Sequence, residues 1–314
     1  MALAIATLIR TDDTSVGGGL LPVTSVGRAS SNHIVLASPH VSHEHASIRH
    51  AGGHDWVLRD LGSKNGTFVN HRSHRHGDIK LNARDELSFG NESLAWRFNP
   101  GVPSDMIILG SRGNAWLSVS REERLIALPA IEAPEATLSR RGAEWVLETL
   151  DSDATVIGDG HVLTLGPHTY RIRTSEEIAP TEDVSGARLK LGDARLLLSI
   201  SLDEEQVAGE LRLAEERWSL PSRVYLHLLA LLARSMRADA AEGVPPGEAG
   251  WRYSDEVSKA LALDPNALNL LVHRARQDVA KLGIEDPAAL IQRRNMTKQM
   301  RIGIDPERIQ ITAL

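Results

Sequence analysis

The chain has 314 residues, of which 42% are hydrophobic and 24% charged, an ordinary globular composition with room for two or three domains. It contains no cysteine, which excludes disulfides, thiolate zinc sites and cysteine nucleophiles. The formal net charge of −6 gives no overall attraction to nucleic acid, so any DNA contact requires a local basic surface. No apolar run reaches the roughly 18 residues of a membrane span, and the apolar N-terminus lacks a basic leader. We therefore expect a cytoplasmic protein without membrane contact.

Residues 1–100 have the pattern of many short antiparallel strands. Apolar runs such as Ile34–Leu36, Trp56–Leu58 and Thr67–Val69 alternate with turn-forming Gly, Asn, Asp and Ser residues. Short strands separated in this way are typical of a β-sandwich. The segment 99–103 interrupts the pattern with two prolines, which remove backbone donors, and so marks the end of the first domain.

Three strings occur in order between residues 26 and 90: Gly27-Arg28, Ser42–His45 and Asn65–Asn70. Each alone means little, because an Asn-Gly pair is commonly just a hairpin turn. In this order and spacing the set resembles the forkhead-associated (FHA) family. The resemblance implies a β-sandwich whose end loops bind phosphothreonine, and hence a receiver of Ser/Thr-kinase signals.

The resemblance also assigns roles within these loops. A dianionic phosphate needs fixed donors and a permanent cation, which the arginine fork supplies well. Arg28 is implied to bind the phosphate, Ser42 to add its hydroxyl, and Asn65 to hold the peptide main chain. Lys64 and His43 would add charge; the family often has Arg or Lys at the place of His43, so binding would depend mildly on pH. The implied scaffold residues are Gly27, His45, Gly66 and Asn70.

The histidine-rich string His71–His76 has the ligand types of a metal clip, but its alternating arginines would repel a cation and it contains no carboxylate. We interpret it as a solvated basic turn that helps to attract an acidic phosphopeptide. The chain shows no Ser-His-Asp order, phosphate-cradling glycine loop or carboxylate pair. It is therefore predicted to be no enzyme and to need no cofactor or metal.

Residues 104–174 contain a weak internal repeat of the first domain, which predicts a second, degenerate FHA-like β-sandwich. The matching strings are Ala46–Arg49 with Ala136–Ser139, Trp56–Leu58 with Trp145–Leu147, and Leu87–Gly90 with Leu163–Gly166. The alternative is that any two strand–turn–strand units look alike. Glu135 stands in the place of His45 and Asp153 in that of Lys64, so a second copy is not expected to bind phosphate.

The segment 175–186 is polar and acidic with one proline, which is typical of a linker. Its threonines and serines beside acidic residues are candidate phosphoacceptors. The alternative is an unmodified, solvated linker.

From residue 187 to 314 the pattern changes to strands, a helix, a loop, two helices and a hairpin. Ser254 is predicted to cap the second helix. Asp264 and Pro265 are predicted to open the third as N-cap and first residue, and Gly283 to end it.

This order resembles the winged helix-turn-helix output domain of bacterial response regulators of the OmpR/PhoB type, over roughly residues 187–312. The resemblance rests on Arg217–Leu220, Leu228–Ala233 and Leu268–Arg276. The chain departs from the family in the long Pro/Gly loop 238–250 and in a hairpin without the usual Gly-Tyr ending. The resemblance implies a helix that reads DNA and a basic hairpin beside it.

The third helix is predicted to be amphipathic. Leu268, Leu271 and Val272 share one face, while the opposite face has side chains that suit bases and phosphates. Those residues are Asn266, His273, Arg274, Gln277 and Lys281, and the hairpin adds Arg293, Arg294, Lys298 and Arg301. Leu270 also points outward, to a thymine methyl or to a protein interface. Residues 251–301 hold nine Lys or Arg against six Asp or Glu, which favours DNA modestly.

The sequence thus predicts a multidomain protein with an FHA sandwich, a degenerate FHA-like β domain and an α+β winged helix-turn-helix domain. We expect a transcription regulator that couples threonine phosphorylation to DNA binding. The expected partners are a threonine-phosphorylated kinase or kinase substrate, double-stranded DNA, and a second copy of the chain in a homodimer. The alternative is a phosphorylation-dependent adaptor whose winged helix contacts protein.

Overall fold

A computed structural model describes most of the chain; the predicted linker 175–186 lies outside the described residues. The described residues are 4–75, 77–91, 94–110, 116–174, 190–213, 215–221 and 223–314. The chain forms two compact units, Met1–Arg121 with Gly158–Thr181 and Glu122–Ile157 with Glu182–Leu314. Among the described helices, none has both the length and the apolarity that a membrane span requires.

The first hundred residues form two mainly antiparallel sheets, as predicted. The strands are β1 (Thr7–Arg10), β2 (Gly17–Gly19), β3 (Val23–Gly27), β4 (Ile34–Val35), β5 (Ala46–Gly52), β6 (Asp55–Asp60), β7 (Thr67–Val69), β8 (Arg72–His74), β9 (Asp78–Leu81), β10 (Glu86–Phe89) and β11 (Ala95–Asn99). One sheet has the order β2-β1-β11-β10-β7-β8 and the other β4-β3-β5-β6-β9. The predicted sandwich is confirmed.

Alternation along the strands builds the core of this sandwich. Ile48 of β5 and both Trp56 and Leu58 of β6 are fully buried, while the residues between them face outward. The Trp56 indole donates a hydrogen bond of 2.9 Å to the carbonyl of Gly101, so its one polar atom is satisfied. The core is therefore built mainly from strand residues, and it places few constraints on the sequences of the turns.

Residues 104–174 are also all strand and turn within their described part. The strands are β12 (Met106–Gly110), β13 (Trp116–Val119), β14 (Leu125–Ala130), β15 (Ala133–Arg141), β16 (Glu144–Thr149), β17 (Thr155–Ile157), β18 (Val162–Leu165) and β19 (His168–Thr174). They pair as β13-β12-β19-β18 and β14-β15-β16-β17. These orders parallel β2-β1-β11-β10 and β3-β5-β6-β9, and the repeated strings occupy corresponding strands. The first of the two sheets lies in one unit and the second in the other. The second sandwich stays a prediction.

The C-terminal region combines two sheets with three helices. The elements are β20 (Arg195–Ile200), β21 (Val207–Leu213), β22 (Glu216–Leu220), α1 (Tyr225–Ala241), β23 (Arg252–Tyr253), α2 (Ser254–Ala260), α3 (Pro265–Ala280), β24 (Ile291–Arg294), β25 (Gln299–Ile302) and β26 (Ile309–Ala313). The sheets are β22-β21-β20-β26 and β23-β25-β24. Apolar faces of all three helices share one core with both sheets.

Two predicted helix starts have different outcomes. Asp264 caps α3 through its carboxylate, which accepts from the backbone N–H of Asn266 and of Ala267 at 2.9 Å. Ser254 is not a cap: it is the first residue of α2, and its N–H donates to the carbonyl of Lys298 at 2.8 Å. Strand β23 therefore runs directly into α2, and strand pairing takes the place of a side-chain cap.

Candidate functional site

Three turns at one end of the first sandwich are tied together by hydrogen bonds. The backbone N–H of Arg28 donates to the carbonyl of Ser42 at 2.8 Å, and the N–H of Lys64 donates to the Ser42 hydroxyl at 3.0 Å. The Asn65 side-chain amide donates to the carbonyl of His40 at 2.7 Å. The turns after β3, β4 and β6 therefore bring together the residues that the sequence singled out.

The side chains at these turns offer donors and positive charge to the solvent. Arg28, His43 and Lys64 are exposed, and Ser42 is half-buried. Arg28 Nε donates to the carbonyl of Val41 at 3.2 Å, which fixes the stem of the side chain. Arg28 has no ion-pair partner among the described residues, so its charge is available to an anion.

Close backbone contact explains the glycine before Arg28. A Cβ on Gly27 would lie 2.2 Å from the carbonyl oxygen of His43 and 2.8 Å from Nδ2 of Asn32. That amide of Asn32 donates to the carbonyls of His43 at 2.6 Å and Ala29 at 3.0 Å. Asn32 therefore also stabilises the turn, a role that the sequence alone did not indicate; it lies two residues before the apolar strand β4.

A buried carboxylate holds the turn that contains Lys64 and Asn65. Asp60 accepts from the N–H groups of Gly62 and Ser63 and from the hydroxyls of Ser63 and Thr67, at 2.6–2.9 Å. Burial raises the pKa of Asp60, but these hydrogen bonds outweigh burial and leave the pKa below its usual value. Asp60 begins the string Asp60–Ser63, which lies between the motifs of the FHA resemblance, but the sequence alone indicated no role for it.

The predicted scaffold residues all lie in constrained positions. His45 Nδ1 accepts from the N–H of Ser42 at 3.1 Å, so Nε2 is assigned as the donor to the Gly66 carbonyl at 3.1 Å. Burial lowers the pKa of His45 despite the opposing effects of Gly66 and Asp60. Gly66 has a φ of +90°, which favours glycine. The Asn70 side chain bridges Asp85 and the N–H of Glu86.

The turn with Arg28 is also held from outside the first sandwich. Arg171 of β19 donates to the carbonyl of Ser30 at 3.1 Å, and Arg173 donates to that of Ser31. The Arg173 side chain is itself buried beside Asp159, at 3.3 Å. These contacts join positions about 140 residues apart, which no local pattern in the sequence could indicate.

A β-sandwich with cationic and hydroxyl donors on adjoining end loops is a framework for binding an anionic segment. The FHA domain family model matches residues 24–90, which confirms the family resemblance for this part of the chain. The chain thus contains an FHA domain.

Solved structures of FHA proteins are similar to about a third of the chain. Mycobacterium tuberculosis EmbR, solved in complex with a low affinity phosphopeptide, is 30% identical over 32% of this chain and 26% of EmbR, with a TM-score of 0.29. The first FHA domain of M. tuberculosis Rv1747 is 25% identical over 32% of this chain and 98% of that domain, with a TM-score of 0.27. The match thus spans about a quarter of EmbR's length. No curated protein matches the chain.

The unit formed by Glu122–Ile157 and Glu182–Leu314 is called the C-terminal unit below. In this unit, most of the predicted DNA-facing side chains of α3 are accessible. Asn266, Arg274 and Lys281 are exposed and Gln277 is half-buried. Lys281 pairs with Asp278 at 3.0 Å, whereas Arg274 has no partner among the described residues. The open strip of α3 therefore has one unpaired cation and two amides.

The predicted exposure of His273 is wrong, since its side chain is only 3% exposed. Its neighbours include Glu148 of β16 and Arg276 and Arg293 of the C-terminal region, around a cavity of about 10 Å³. Neither ring nitrogen has a hydrogen-bond partner among the described residues. Burial, aided by Arg276 and Arg274, lowers the pKa of His273 to about 4. Strands β15 and β16 cover this flank of α3, which the helical periodicity alone could not reveal.

Three of the four predicted hairpin residues make internal contacts. Arg293 donates to the Asn269 side chain at 2.8 Å. Arg294 and Arg301 lie over the Trp251 ring, 4.1 Å and 4.7 Å from its centroid. Lys298 alone of the four is exposed, with a φ of +53°.

The contacts of Arg294 and Arg301 extend into the Pro/Gly loop 242–250. Arg294 pairs with Glu248 at 3.1 Å, and Arg301 donates to the carbonyls of Pro246 at 2.8 Å and Gly247 at 3.1 Å. These two arginines therefore hold the loop against the hairpin in this structure, and neither side chain is free for a phosphate.

Proposed function

We propose that the FHA domain binds a threonine-phosphorylated segment of a partner protein, and that the chain acts in Ser/Thr-kinase signalling. The observation that carries this proposal is the union of three turns around Ser42. It brings the backbones of Arg28 and Lys64 into hydrogen-bond contact with Ser42, and the side chains of Arg28 and Lys64 are exposed to solvent. A dianionic phosphate is the ligand that such charge-assisted donors suit best.

The hydrogen-bonding capacity left at these groups fits the proposed roles. The Ser42 hydroxyl accepts from Lys64, which leaves its own proton for a phosphate oxygen. Asn65 uses one amide hydrogen on His40 and keeps its carbonyl oxygen and second hydrogen for a peptide main chain. Arg28 keeps its terminal nitrogens because only Nε is engaged.

The test is binding of a phosphothreonine peptide library to the full chain, with unphosphorylated and phosphoserine versions alongside. Arg28→Ala should abolish measurable binding, because hydrogen bonds to charged groups contribute about 1.5–3 kcal/mol each. Arg97→Ala is the matched control, since Arg97 is an exposed arginine of β11 paired with Glu86. Equal binding of phosphorylated and unphosphorylated peptides, or no effect of Arg28→Ala, would refute the proposal.

For the C-terminal unit we propose DNA binding by a winged helix, so that docking of a phosphorylated partner is coupled to transcription, with a homodimer as one means of coupling. The open strip of Asn266, Arg274 and Gln277 on α3 supports this, because amides and arginine match base edges in the major groove. Lys298 at the hairpin tip could meet a phosphate.

An adaptor function is the second candidate, and the sheet beside α3 favours it. Residues 122–157, which include β15 and β16, hold three arginines against eight acidic residues. An acidic sheet on the flank of α3 would repel the DNA backbone. In this candidate the C-terminal unit contacts protein, and the proposed degenerate second sandwich serves as a spacer without a phosphate site.

One experiment separates the two candidates: genomic DNA capture by wild type, Arg274→Ala and Arg28→Ala in parallel. DNA regulation predicts a salt-dependent enrichment that Arg274→Ala removes and Arg28→Ala alters. Arg217→Ala, on β22, is the matched control. No capture at low salt would rule out DNA binding and leave the adaptor function.

A further inference from the structure

The string predicted as a basic turn contains strand β8 (Arg72–His74), and Arg75 directly after this strand lies at the edge of the proposed phosphopeptide site. In the β7–β8 hairpin, Val69 pairs with Arg72 and Thr67 pairs with His74. The next residue, Arg75, therefore comes level with Gly66, the residue directly after Asn65. A Cβ built on Gly66 would lie 3.4 Å from Nε of Arg75 and 3.7 Å from its Cγ. Arg75 thus packs across the glycine of the turn that is proposed to hold the peptide.

The absence of a side chain at Gly66 leaves the space that Arg75 occupies. Any side chain at residue 66 would contact both Arg75 and the Ser73 hydroxyl, 3.4 Å from the same point. With glycine, the aliphatic stem of Arg75 lies on backbone, and its guanidinium can reach a ligand beside the turn. The same residue has a positive φ, so both conformation and space select glycine there.

The charge of Arg75 is not used within the domain. Its side chain is exposed, and it makes no ion pair or hydrogen bond with the described residues. The carboxylate of the neighbouring turn, Asp60, is buried and accepts from four donors, so it has little capacity left for Arg75. The strand before it, β8, is the edge of its sheet, so no further strand covers the hairpin.

We propose that Arg75 is a specificity-determining residue that binds an aspartate or glutamate side chain of the phosphorylated partner, close in sequence to the phosphothreonine. The inference rests on the proposed phosphothreonine function. The arginine fork suits a carboxylate because it can donate two parallel hydrogen bonds. Asn65 would hold the peptide main chain one residue away, so the carboxylate belongs to a near neighbour of the phosphothreonine. Arg28 and Lys64 bind the phosphate, and Arg75 selects among phosphorylated sequences.

The test compares pairs of phosphothreonine peptides that differ only by glutamate or glutamine at one flanking position, scanned across both sides. The full chain is used as wild type, Arg75→Ala, Arg75→Gln and Arg72→Ala. At the selected position, wild type should prefer glutamate about two- to fivefold, the range expected of an exposed ion pair. Both Arg75 variants should bind the two peptides equally, and as well as wild type binds the glutamine peptide. Arg72→Ala removes the same charge from the same hairpin and should keep the preference.

Each other outcome overturns the inference in a recognisable way. If the Arg72 and Arg75 variants lose the preference for glutamate equally, the cause is general electrostatic attraction by a basic hairpin. A wild type that binds phosphothreonine without preferring glutamate anywhere would remove the role of Arg75 and keep the proposed function. Absence of any phosphothreonine binding would overturn both.

Discussion

The guanidinium of Arg276 in α3 makes two parallel hydrogen bonds to the carboxylate of Glu148 in β16, at 2.9 Å and 3.2 Å, across 128 positions of sequence. The two side chains are 2% and 11% exposed. Burial raises the pKa of Glu148, but the charge and hydrogen bonds of Arg276 outweigh it and hold the pKa below its usual value. The pair is therefore ionised, and it joins the acidic sheet to the helix proposed to bind DNA.

Removing one partner of this pair should be more harmful than removing both. Glu148→Ala leaves a buried guanidinium without its counter-ion, and we expect a loss of about 3–5 kcal/mol in the free energy of unfolding of the C-terminal unit. The double variant Glu148→Leu/Arg276→Met should recover most of it, because neither charge of the pair is then left without its partner. Urea denaturation measures the free energy of unfolding of the single and the double variant, and hydrogen exchange of α3 peptides shows whether α3 is affected.

Glu144→Ala is the control for that experiment, since Glu144 is an exposed glutamate of the same strand. It should change stability by less than about 0.5 kcal/mol. A Glu148→Ala protein as stable as the Glu144→Ala protein would contradict a structural role for the buried pair.

Buried His273 predicts a stability that falls in mild acid. Its pKa is about 4 in the folded chain, below the roughly 6.5 of an unfolded one, so the unfolded state binds the proton first. Its contribution is complete above about pH 6.5 and is lost as pH falls toward 4. His273→Leu cannot take up this proton, so from about pH 7.5 to 5.0 wild type should lose about 2 kcal/mol more than the variant. Parallel pH-dependent stability in the two proteins would exclude His273 as a cause.

Gly27→Ala should weaken phosphopeptide binding although it changes no residue that is proposed to contact the peptide. The added Cβ would meet the His43 carbonyl at 2.2 Å, so the turns bearing Arg28 and Ser42 must separate. We expect at least a tenfold rise in Kd by calorimetry. In the same unit, a Cβ at Gly158 has no atom within 4 Å, so Gly158→Ala should bind as wild type does. Retained affinity in Gly27→Ala would show that the turns adapt.

Asp60→Asn tests the buried support of the peptide-binding turn. Its new amide would face the donors of Ser63 and Thr67 in place of an acceptor, at a cost of about 1–3 kcal/mol. Weaker phosphopeptide binding at neutral pH and faster hydrogen exchange in residues 61–66 are expected. The pKa of Asp60 is lower in the folded chain than its unfolded value of about 3.9. The stabilisation by Asp60 is therefore complete above about pH 3.9 and is lost only as the pH falls through the folded-state pKa. Unchanged exchange rates would contradict it.

The short strings pointed to the candidate site through their resemblance to the FHA family, since each string alone indicates only a turn. The resemblance that these strings support pointed to Gly27, Ser42 and Asn65, and their roles in binding stay predictions. Helical periodicity likewise located the core face of α3, but it could not show that a sheet covers the His273 flank. The anchoring of the Arg28 turn by Arg171 was hidden for the same reason: such pairings depend on which distant strands meet.

The placement of β14–β17 in the middle of the chain has a consequence for synthesis. Strand β15 ends at Arg141, and α3, which it helps to cover, begins only at Pro265. At about 5–20 residues per second, a ribosome would take roughly 6–25 s to make the intervening segment. During that time Glu148 has no Arg276 to meet, and the inner side of the sheet faces the medium or a chaperone. A fragment that starts at residue 187 would lack β15 and β16, so the His273 flank of α3 would be exposed. DNA binding measured with that fragment would therefore report on a different surface from that of the whole chain.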